Sequence, residues 1–565
     1  KGKEGSGVPV VVKKTRKLGA GGGQPPSDRV TSPLRPLFVL KTPPCSDACP
    51  NHTDIRGVLT TIAQAEKRGI PYDEAFEQAF YLITEKNPLP AVCGRVCPHL
   101  CETQCNRAHL DGPASINCLE RFVGDFALEK HLPLKPLTEE RHPEKIAVIG
   151  SGPAGLSCAY QLARRGYPVT VFDAFPKPGG MLRYGIPTYR LPGRVLDAEI
   201  ARVLALGVQL RCDTAVGKDV PYENLQQAYV AIFVGIGAHK GMRLGVPGED
   251  AKNVLSGVEF LHRVNAGERV DVGDTVVVVG GGDTAVDAAR VVARLGAKTT
   301  ILYRRTIQEM PAIKPEVEET EREGIEIKFL AAPTAVVTDN GRATGLSCLR
   351  MELGEPDSSG RRRPVPIPGS EFFVGASTII AAISQEPDFT GLEAFTGKRG
   401  GIPVDGSGET SVPGTFAGGD ILELGIVTTA ISHGRRAAET IHARLRGIPP
   451  DAAPAPPVIT YDRMRLDLYP KHPRMDMATV PVAERFQDPD REVNLGLTRE
   501  AVIAEAKRCL SCGLCFQCDN CWKYCQDEAV IKPFEKGQPY RFKLEFCQGC
   551  KKCAEECPCG YIEMR

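Results

Sequence analysis

The stretch Lys145-Ile-Ala-Val-Ile-Gly-Ser-Gly-Pro-Ala-Gly155 decides the fold of the central part of this sequence. Its apolar start, residues 145–149, predicts a buried strand, and its glycines follow at G-x-G-x-x-G spacing before a predicted helix. In such a turn the first glycine permits a sharp bend, the second admits a diphosphate and the third lets helix and strand pack closely. The stretch therefore predicts a βαβ unit that binds a dinucleotide.

Residues downstream of this turn complete a first predicted nucleotide site. The next apolar strand ends in Asp173, where an acid hydrogen-bonds a ribose hydroxyl. Gly180 allows the backbone to approach a cofactor closely, and Gly419 and Asp420 precede a helix near Thr428. A diphosphate turn and an acid from distant parts of the chain favour FAD over NAD; alternatively, Asp420 caps that helix. The predicted FAD-binding residues are Gly150, Gly152, Pro153, Ala154, Gly155, Asp173, Gly180, Gly419, Asp420 and Thr428.

A second glycine turn follows a predicted strand at residues 275–279. The stretch Gly280-Gly-Gly-Asp-Thr-Ala285 then opens a helix, so a second dinucleotide site is nested within the chain span of the first. The next strand ends in Arg304 and Arg305 instead of an acid, and guanidinium groups suit the 2′-phosphate of NADP. This pattern favours NADP(H), and a solvated basic turn is the alternative. The predicted NAD(P)H-binding residues are Gly280, Gly282, Asp283, Thr284, Ala285, Arg304 and Arg305.

The C-terminal cysteines carry the most specific spacing among the 21 cysteines of the chain. Two runs of C-x-x-C-x-x-C-x-x-x-C repeat the pattern of two-cluster ferredoxins, in which the fourth cysteine of each run binds the other four-iron cluster. Zinc would need two facing C-x-x-C pairs, and a disulfide framework suits small secreted proteins. The predicted ligand sets are Cys515, Cys518, Cys521 and Cys557 for one cluster and Cys525, Cys547, Cys550 and Cys553 for the other.

The remaining cysteines and the composition narrow the class of protein. Cys158, Cys212 and Cys348 stand alone and are predicted to be core thiols, so the C-x-x-C pair of a thioredoxin-reductase-like enzyme is missing between residues 146 and 445. The formal net charge of +1 gives no reason to expect nucleic acid as a partner. The sequence has no membrane-length apolar run and no signal core, which predicts a cytoplasmic protein without a membrane span.

Together the motifs predict an α/β protein with two nested Rossmann-like domains between two cysteine-rich regions. The predicted boundaries are a flexible segment at residues 1–36, a helical iron–sulfur domain at 37–140, an FAD domain at 141–270 and 376–447, an NAD(P)H domain at 271–375, a linker at 448–497 and a ferredoxin-like domain at 498–565.

Residues 40–510 resemble the glutamate synthase small-subunit flavoproteins. The stretches that carry the resemblance are Cys93-Gly-Arg-Val-Cys-Pro98, Val148-Ile-Gly-Ser-Gly-Pro-Ala-Gly-Leu156, Gly179-Gly-Met-Leu-Arg-Tyr-Gly-Ile-Pro187, Gly282-Asp-Thr-Ala-Val-Asp-Ala-Ala-Arg290, Tyr303-Arg-Arg305 and Glu309-Met-Pro-Ala312. The resemblance implies FAD at the first turn, NAD(P)H at the second and electrons leaving through N-terminal clusters. Because cofactors supply this chemistry, no catalytic side chain is predicted.

Together with the C-terminal cysteine runs, this core resembles the iron–sulfur flavoprotein of the dissimilatory sulfite reductase system. This implies a protein that exchanges electrons between NAD(P)H and that reductase during sulfur oxidation. The alternative is the small subunit of an NADPH-dependent glutamate synthase or a related NAD(P)H:ferredoxin oxidoreductase.

The N-terminal cysteines predict one or two further clusters. Spacing alone does not identify the ligands, but the resemblance implies one cluster at Cys49, Cys97, Cys101 and Cys105. The family's other N-terminal cluster uses two upstream cysteines that this chain lacks, and Cys509 and Cys512 are spare. We therefore expect a cluster at Cys45, Cys509 and Cys512, with Glu120 or a nearby cysteine, within one chain or across a homodimer. Alternatively Cys509 and Cys512 are free thiols, so three or four clusters are predicted.

Overall fold

The computed structural model describes residues 32–396, 401–449, 455–535 and 538–565, which form two compact units. The first, here called the cysteine unit, comprises the described parts of Lys1–Leu134, Pro449–Ala478 and Gly496–Arg565. The second, the Rossmann unit, comprises Lys135–Ile448 and Thr479–Leu495. Most of the predicted flexible segment, residues 1–31, lies outside the described residues.

The N-terminal part of the cysteine unit is helical. Helix α2 begins where the Asp54 carboxylate accepts a hydrogen bond from the backbone N–H of Gly57. Helices α5 and α7 touch backbone to backbone, because a Cβ at Gly94 or Gly124 would overlap the opposite helix. The elements are β1 Pro36–Phe38, α1 Pro44–Ala48, α2 Ile55–Ala63, α3 Ala65–Arg68, α4 Tyr72–Thr84, α5 Pro90–Val96, α6 Leu100–Thr103 and α7 Ile116–Glu129.

The Rossmann unit alternates strands and helices. The first elements of the unit are β2 Ile146–Ile149, α8 Pro153–Ala163, β3 Val169–Phe172, α9 Met181–Tyr184, α10 Gly193–Leu204, β4 Gln209–Arg211, α11 Tyr222–Ala228 and β5 Ala231–Val234. Those that follow are β6 Lys240–Gly241, β7 Val254–Ser256, α12 Gly257–Asn265, β8 Thr275–Val279, α13 Asp283–Arg294, β9 Lys298–Tyr303, α14 Lys314–Arg322, β10 Glu326–Phe329, β11 Ala331–Asp339, β12 Arg342–Pro356, β13 Arg362–Pro366, β14 Phe372–Gly375, β15 Thr378–Ala381, β16 Gln385–Glu386, β17 Thr415–Ala417, α15 Val427–Arg446 and α16 Val482–Arg485.

Two parallel sheets organise this unit. One has the strand order β17-β5-β2-β3-β4 and the other β10-β9-β8-β15-β7. The chain leaves the first sheet after β5, builds the second, and returns at β17. The predicted α/β class, with one Rossmann-like sheet nested in the other, is confirmed. A separate antiparallel sheet, β11-β12-β13 with β14 paired to β12, extends the second half.

A buried ionic cluster fastens the later segment, Thr479–Leu495, onto this unit. Glu323 is fully buried and its carboxylate lies 2.7 Å from Arg290 Nη2, 2.7 Å from Arg294 Nη1 and 2.9 Å from Arg485 Nη1. Burial alone would raise the pKa of Glu323, but hydrogen bonds from Arg294 and Arg290 lower it to about 2. The carboxylate is therefore charged at neutral pH and neutralises a group of buried arginines.

The C-terminal part of the chain completes the cysteine unit with α17 Arg499–Lys507, α18 Asn520–Tyr524, β18 Val530–Ile531, β19 Arg541–Phe542, α19 Lys552–Glu555 and β20 Ile562–Met564. Strand β20 pairs antiparallel with β1, and Arg35 N donates to Arg565 O over 2.6 Å. The boundaries expected from sequence therefore shift. Residues 498–565, predicted as a separate domain, share one compact unit with the N-terminal helices, and Pro36, predicted as flexible, begins a strand.

Among the described residues, no helix combines the length and the apolarity needed to cross a membrane.

Candidate cofactor sites

The first glycine turn combines two tightly packed glycines with one open one. Gly150 has φ +96°, and a Cβ there would lie 2.3 Å from the carbonyl oxygen of Gly235. A Cβ at Gly155 would lie 1.9 Å from the oxygen of Gly150. At Gly152, where φ is −69°, the nearest atom to an added Cβ is Cα of Gly180 at 4.0 Å. The turn therefore leaves a cradle above Gly152, at the N-terminus of α8, that fits a diphosphate.

Asp173 lies beside this turn and holds its backbone. Its Oδ2 accepts hydrogen bonds from the backbone N–H of Ser151, at 2.7 Å, and from the Ser151 hydroxyl. Its Oδ1 accepts from the backbone N–H of Phe175 at 2.9 Å. The acid predicted for a ribose thus lies at the turn, and Ser151, inside the motif, is a partner that the motif alone did not reveal.

The distant acid also comes to the first turn. Gly419 has φ +80°, and a Cβ there would lie 3.1 Å from Cβ of Ala154, in the first turn of α8. The backbone N–H of Gly419 donates a hydrogen bond to Nδ1 of His433 at 3.2 Å, and no sequence motif predicted this contact. Asp420 accepts from Gly425 N at 3.1 Å, whereas Ile426 is the residue before α15. Asp420 therefore does not cap this helix.

The adjacent helix α15 crosses α8 at close range. A Cβ at Gly434 would lie 2.0 Å from the oxygen of Ala154, so only glycine permits the crossing. Thr428, in the first turn of α15, is buried. The structure thus gathers the predicted FAD residues, from two distant parts of the chain, around the N-terminus of α8.

The second glycine turn has the same geometry as the first. Gly280 has φ +150° and a Cβ there would lie 2.1 Å from the oxygen of Ala382, with Ala285 packed beneath it. At Gly282, with φ −92°, no atom lies within 4 Å of an added Cβ. Asp283 accepts a hydrogen bond from Ile313 N at 3.0 Å, which ties the first turn of α13 to a neighbouring loop. The space above Gly282 is a second cradle for a diphosphate.

The two arginines after β9 have different surroundings. Arg305 is buried, its Nη2 lies 2.5 Å from Oδ2 of Asp357, and its Nε donates to the oxygen of Arg362 at 2.8 Å. Arg304 is exposed at the strand end. Of the two arginines predicted to bind a 2′-phosphate, Arg305 is thus engaged by Asp357 and by the backbone of Arg362, and Arg304 is the one exposed at the strand end.

The cysteine unit encloses a cavity lined by one of the predicted ferredoxin-type ligand sets. Its cysteines are Cys515, Cys518, Cys521, Cys557 and the additional Cys559. Backbone N–H groups donate to sulfur at two of them, from Gln517 to Cys515 at 3.4 Å and from Tyr561 to Cys557 at 3.3 Å. A contact of 3.8 Å with the Cys559 thiol lowers the pKa of Cys557 to about 7. This arrangement places cysteine sulfurs and backbone N–H donors around one cavity, as a four-iron cluster requires.

The second ferredoxin-type set lies at the surface. Burial, together with the nearby Cys547, Cys525 and Cys550 groups, raises the pKa of Cys553 to about 12. Cys550 is the one exposed cysteine of the described residues. The structure therefore brings these four cysteines together and leaves one edge of the group open to solvent.

A third cysteine group joins both ends of the chain. One cavity of the cysteine unit is lined by Cys45, Cys105, Cys509 and Cys512, together with Arg56 and Asn106. Asn106 Nδ2 lies 3.7 Å from Sγ of Cys512, and the backbone N–H of Ser511 donates to Sγ of Cys509 at 3.4 Å. Cys105, expected beside Cys49, Cys97 and Cys101, instead completes the expected group of Cys45, Cys509 and Cys512. Cys105 belongs to this group because residues 509–512, which are distant in the sequence, fold onto α2.

The remaining N-terminal candidates surround Glu120. Cys97 and Glu120 both lie close enough to Cys101 to raise the pKa of its thiol, although burial is the largest cause. Burial also raises the pKa of Glu120 to about 7, and its Oε1 accepts from Asn87 at 2.9 Å. Cys49 ends α1, which packs on the helix that carries Cys101. Glu120, predicted as a partner of Cys45, lies near Cys101, and Cys45 is also among the groups that raise the pKa of the Cys101 thiol.

No three His, Cys, Asp or Glu side chains of the described ranges converge closely enough to hold a single metal ion.

Comparison with known proteins identifies two sequence families. The family described as pyridine nucleotide-disulphide oxidoreductase matches residues 144–434, and that described as dihydropyrimidine dehydrogenase domain II, 4Fe-4S cluster, matches residues 37–132. Subunit beta of the NADP(+)-dependent formate dehydrogenase of Moorella thermoacetica is 40% identical over 89% of this chain and 74% of its own length.

Two further relatives also align with most of this chain. Subunit beta of the NADPH-Fe(3+) oxidoreductase of Geobacter sulfurreducens is 38% identical over 84% of this chain and 76% of its own length. The glutamate synthase [NADPH] small chain of Escherichia coli K12 is 36% identical over 71% of this chain and 88% of its own length.

Proposed function

Because this chain belongs to the pyridine nucleotide-disulphide oxidoreductases, and among them to the group of the glutamate synthase small chains, we propose that it oxidises NADPH and delivers the electrons to a protein acceptor. It is an iron–sulfur flavoprotein oxidoreductase of FAD and NAD(P)H. The single observation that carries the proposal is the pair of open cradles, above Gly152 and above Gly282, in one compact unit.

Both cradles would hold a cofactor through the same kind of interaction with its diphosphate. The N-terminus of α8 offers free backbone N–H donors and a partial positive charge to the FAD diphosphate, and α13 does so for NADPH. Arg304, exposed at the end of β9, adds a charge for the 2′-phosphate. Bound FAD supplies the step between a two-electron donor and one-electron acceptors. The chain's own residues position the cofactors and need no titrating acid or base.

We propose four cluster sites in the cysteine unit. Two follow the ferredoxin-type sets, which are supported by a shared cavity and by facing thiols. A third uses the cavity that gathers thiols from both ends of the chain. A fourth uses a buried carboxylate, which a cationic centre would compensate. The proposed ligand sets are Cys515, Cys518, Cys521 and Cys557; Cys525, Cys547, Cys550 and Cys553; Cys45, Cys105, Cys509 and Cys512; and Cys49, Cys97, Cys101 and Glu120.

For the acceptor we propose dissimilatory sulfite reductase, supported by the ferredoxin-type cysteines that follow the family core. The alternative is the catalytic subunit of another heteromeric enzyme. It is favoured by the two relatives named as beta subunits, which align over 89% and 84% of this chain. Anaerobic NADPH oxidation with purified sulfite reductase as acceptor, compared with a formate dehydrogenase catalytic subunit, separates the two.

Anaerobic titration of the purified, cofactor-loaded protein with NADPH tests the core of the proposal. We expect the flavin absorbance to bleach first and the broad cluster absorbance to fall as further NADPH is added. NADH should act at higher concentrations than NADPH. If dithionite bleaches both chromophores and NADPH bleaches neither, the proposed function is wrong.

A further inference from the structure

One unbroken cysteine run is divided between two cavities. The run Cys509-Leu-Ser-Cys-Gly-Leu-Cys-Phe-Gln-Cys-Asp-Asn-Cys521 keeps a single C-x-x-C spacing throughout. Its first two cysteines line the cavity that also holds Cys45 and Cys105. Its last three line the cavity that also holds Cys557. The division falls between Cys512 and Cys515, so neighbouring thiols of one loop face different cavities.

Hydrogen bonds fix the short connection between the cavities. Gly513 has φ +70°, its N–H donates to the oxygen of Cys559 at 2.7 Å and its oxygen accepts from Lys41 N at 3.2 Å. Nη1 of the buried Arg56 donates to the oxygens of Cys512, at 2.6 Å, and Lys41, at 2.7 Å. Three residues span at most about 11 Å, which bounds the separation of the Cys512 and Cys515 backbones.

Packed protein fills the space beside this connection. Tyr469 is buried and its hydroxyl donates to the oxygen of Leu510 at 2.8 Å. Its ring centroid lies 5.9 Å from that of Phe516, and both rings belong to one apolar cluster with Cys512. The connection between the two cavities is therefore packed against buried apolar and aromatic side chains.

We propose that the cavity of Cys45, Cys105, Cys509 and Cys512 is the obligatory entry to the ferredoxin-type clusters, and that the group with the exposed Cys550 is the exit. This inference rests on the proposed function. Oxidation of one NADPH to NADP+ releases one proton and two electrons. Clusters held in the two cavities would supply the one-electron carriers, and the short connection between Cys512 and Cys515 would hold them close enough together for single electrons to pass.

The test uses the full chain, loaded with FAD and iron, in which Cys509→Ser and Cys512→Ser are combined. NADPH should bleach the flavin at the wild-type rate, whereas the electron paramagnetic resonance signals of the ferredoxin-type clusters should form at least about 100-fold more slowly. Dithionite should produce those signals normally. Cys118→Ala, a buried cysteine on α7 that lines neither cavity, is the matched control and should behave as wild type.

The outcomes separate this inference from the proposed function. Wild-type rates of cluster reduction by NADPH in the double variant would overturn the inference. Failure of NADPH to bleach the wild-type flavin would overturn the proposed function instead. If the double variant does not accumulate, Cys550→Ala removes the exit cluster alone. Its remaining ferredoxin-type signal should be broadened by the neighbouring entry cluster, and a sharp, uncoupled signal would contradict the proposed order.

Discussion

The backbone N–H of Ser115 donates a hydrogen bond of 2.7 Å to Oε1 of Glu505, a residue 390 positions later in the chain. Oε2 of the same fully buried glutamate accepts from Met475 N at 3.0 Å. The segment that carries Cys509 and Cys512 is therefore part of the same core as α7. Deletion of residues 498–565 would leave these polar groups buried without partners, so point substitutions are the appropriate tests of the cluster sites.

Combined Cys509→Ser and Cys512→Ser should lower the iron content by about four atoms from a wild-type value of about sixteen per chain. The reason is that the cavity would keep only Cys45 and Cys105, and a four-iron cluster needs its full ligand set. Iron and sulfide analysis of the purified proteins measures the change. Cys118→Ala should retain all the iron, and an unchanged iron content in the double variant would mean that no cluster occupies this cavity.

Gly152→Val and Gly282→Val should each remove one cofactor and spare the other. Both glycines have φ values that valine tolerates, and neither has a protein atom closer than 4.0 Å to an added Cβ. A branched side chain there would fill the cradle without disturbing the fold. The first variant should lose its yellow colour. The second should keep FAD but lose saturable NADPH binding, and full FAD occupancy in the first would refute the assignment of the turn.

Arg304→Ala should weaken NADPH binding by about 10- to 100-fold and leave NADH binding nearly unchanged. A charge-assisted hydrogen bond to the 2′-phosphate is lost only for NADPH. Arg305→Ala is the comparison variant. Because Arg305 is engaged by Asp357, its loss should lower stability without changing the ratio of the two dissociation constants. Equal effects on both coenzymes for Arg304→Ala would make that residue part of a solvated turn.

Glu323→Gln should lower the free energy of unfolding of the Rossmann unit by about 3–5 kcal/mol at neutral pH. It removes the charge that compensates Arg290, Arg294 and Arg485 in a buried setting. Glu318→Gln, in an exposed ion pair with Arg322, should cost less than about 1 kcal/mol. Thermal unfolding of both variants measures the difference. Similar midpoints would show that the buried cluster contributes little.

The spacing of the glycines was enough to predict both turns, although only part of their packing is local. Gly155 is required by a contact with Gly150 inside the motif, whereas Gly150 and Gly280 meet the carbonyl oxygens of Gly235 and Ala382, which lie far along the chain. The partner of Arg305 was not predictable, since Asp357 arrives on a later β-hairpin. His433 was missed for the same reason, because nothing in the helical pattern of α15 indicates a contact with Gly419.

The cysteines show the same limit of prediction from sequence, because their grouping depends on contacts between distant parts of the chain. Spacing predicts the ferredoxin-type ligand sets, because both runs follow one local pattern. Spacing could not divide the cysteines of the run from Cys509 to Cys521, since every interval in that run is identical. Tertiary structure makes the division, through Arg56 and the contact of Gly513 with Cys559.

The pairing of Cys45 and Cys105 with Cys509 and Cys512 also sets an order of events during biosynthesis. A ribosome produces the first two thiols long before the last two, and the whole Rossmann unit emerges in between. Until translation reaches Cys512, the early half of the pocket has nothing to close it. A cluster proposed for this position would therefore be held by its full ligand set only after Cys512 has been synthesised, and a chain terminated before that point would carry Cys45 and Cys105 without the partners that complete the pocket.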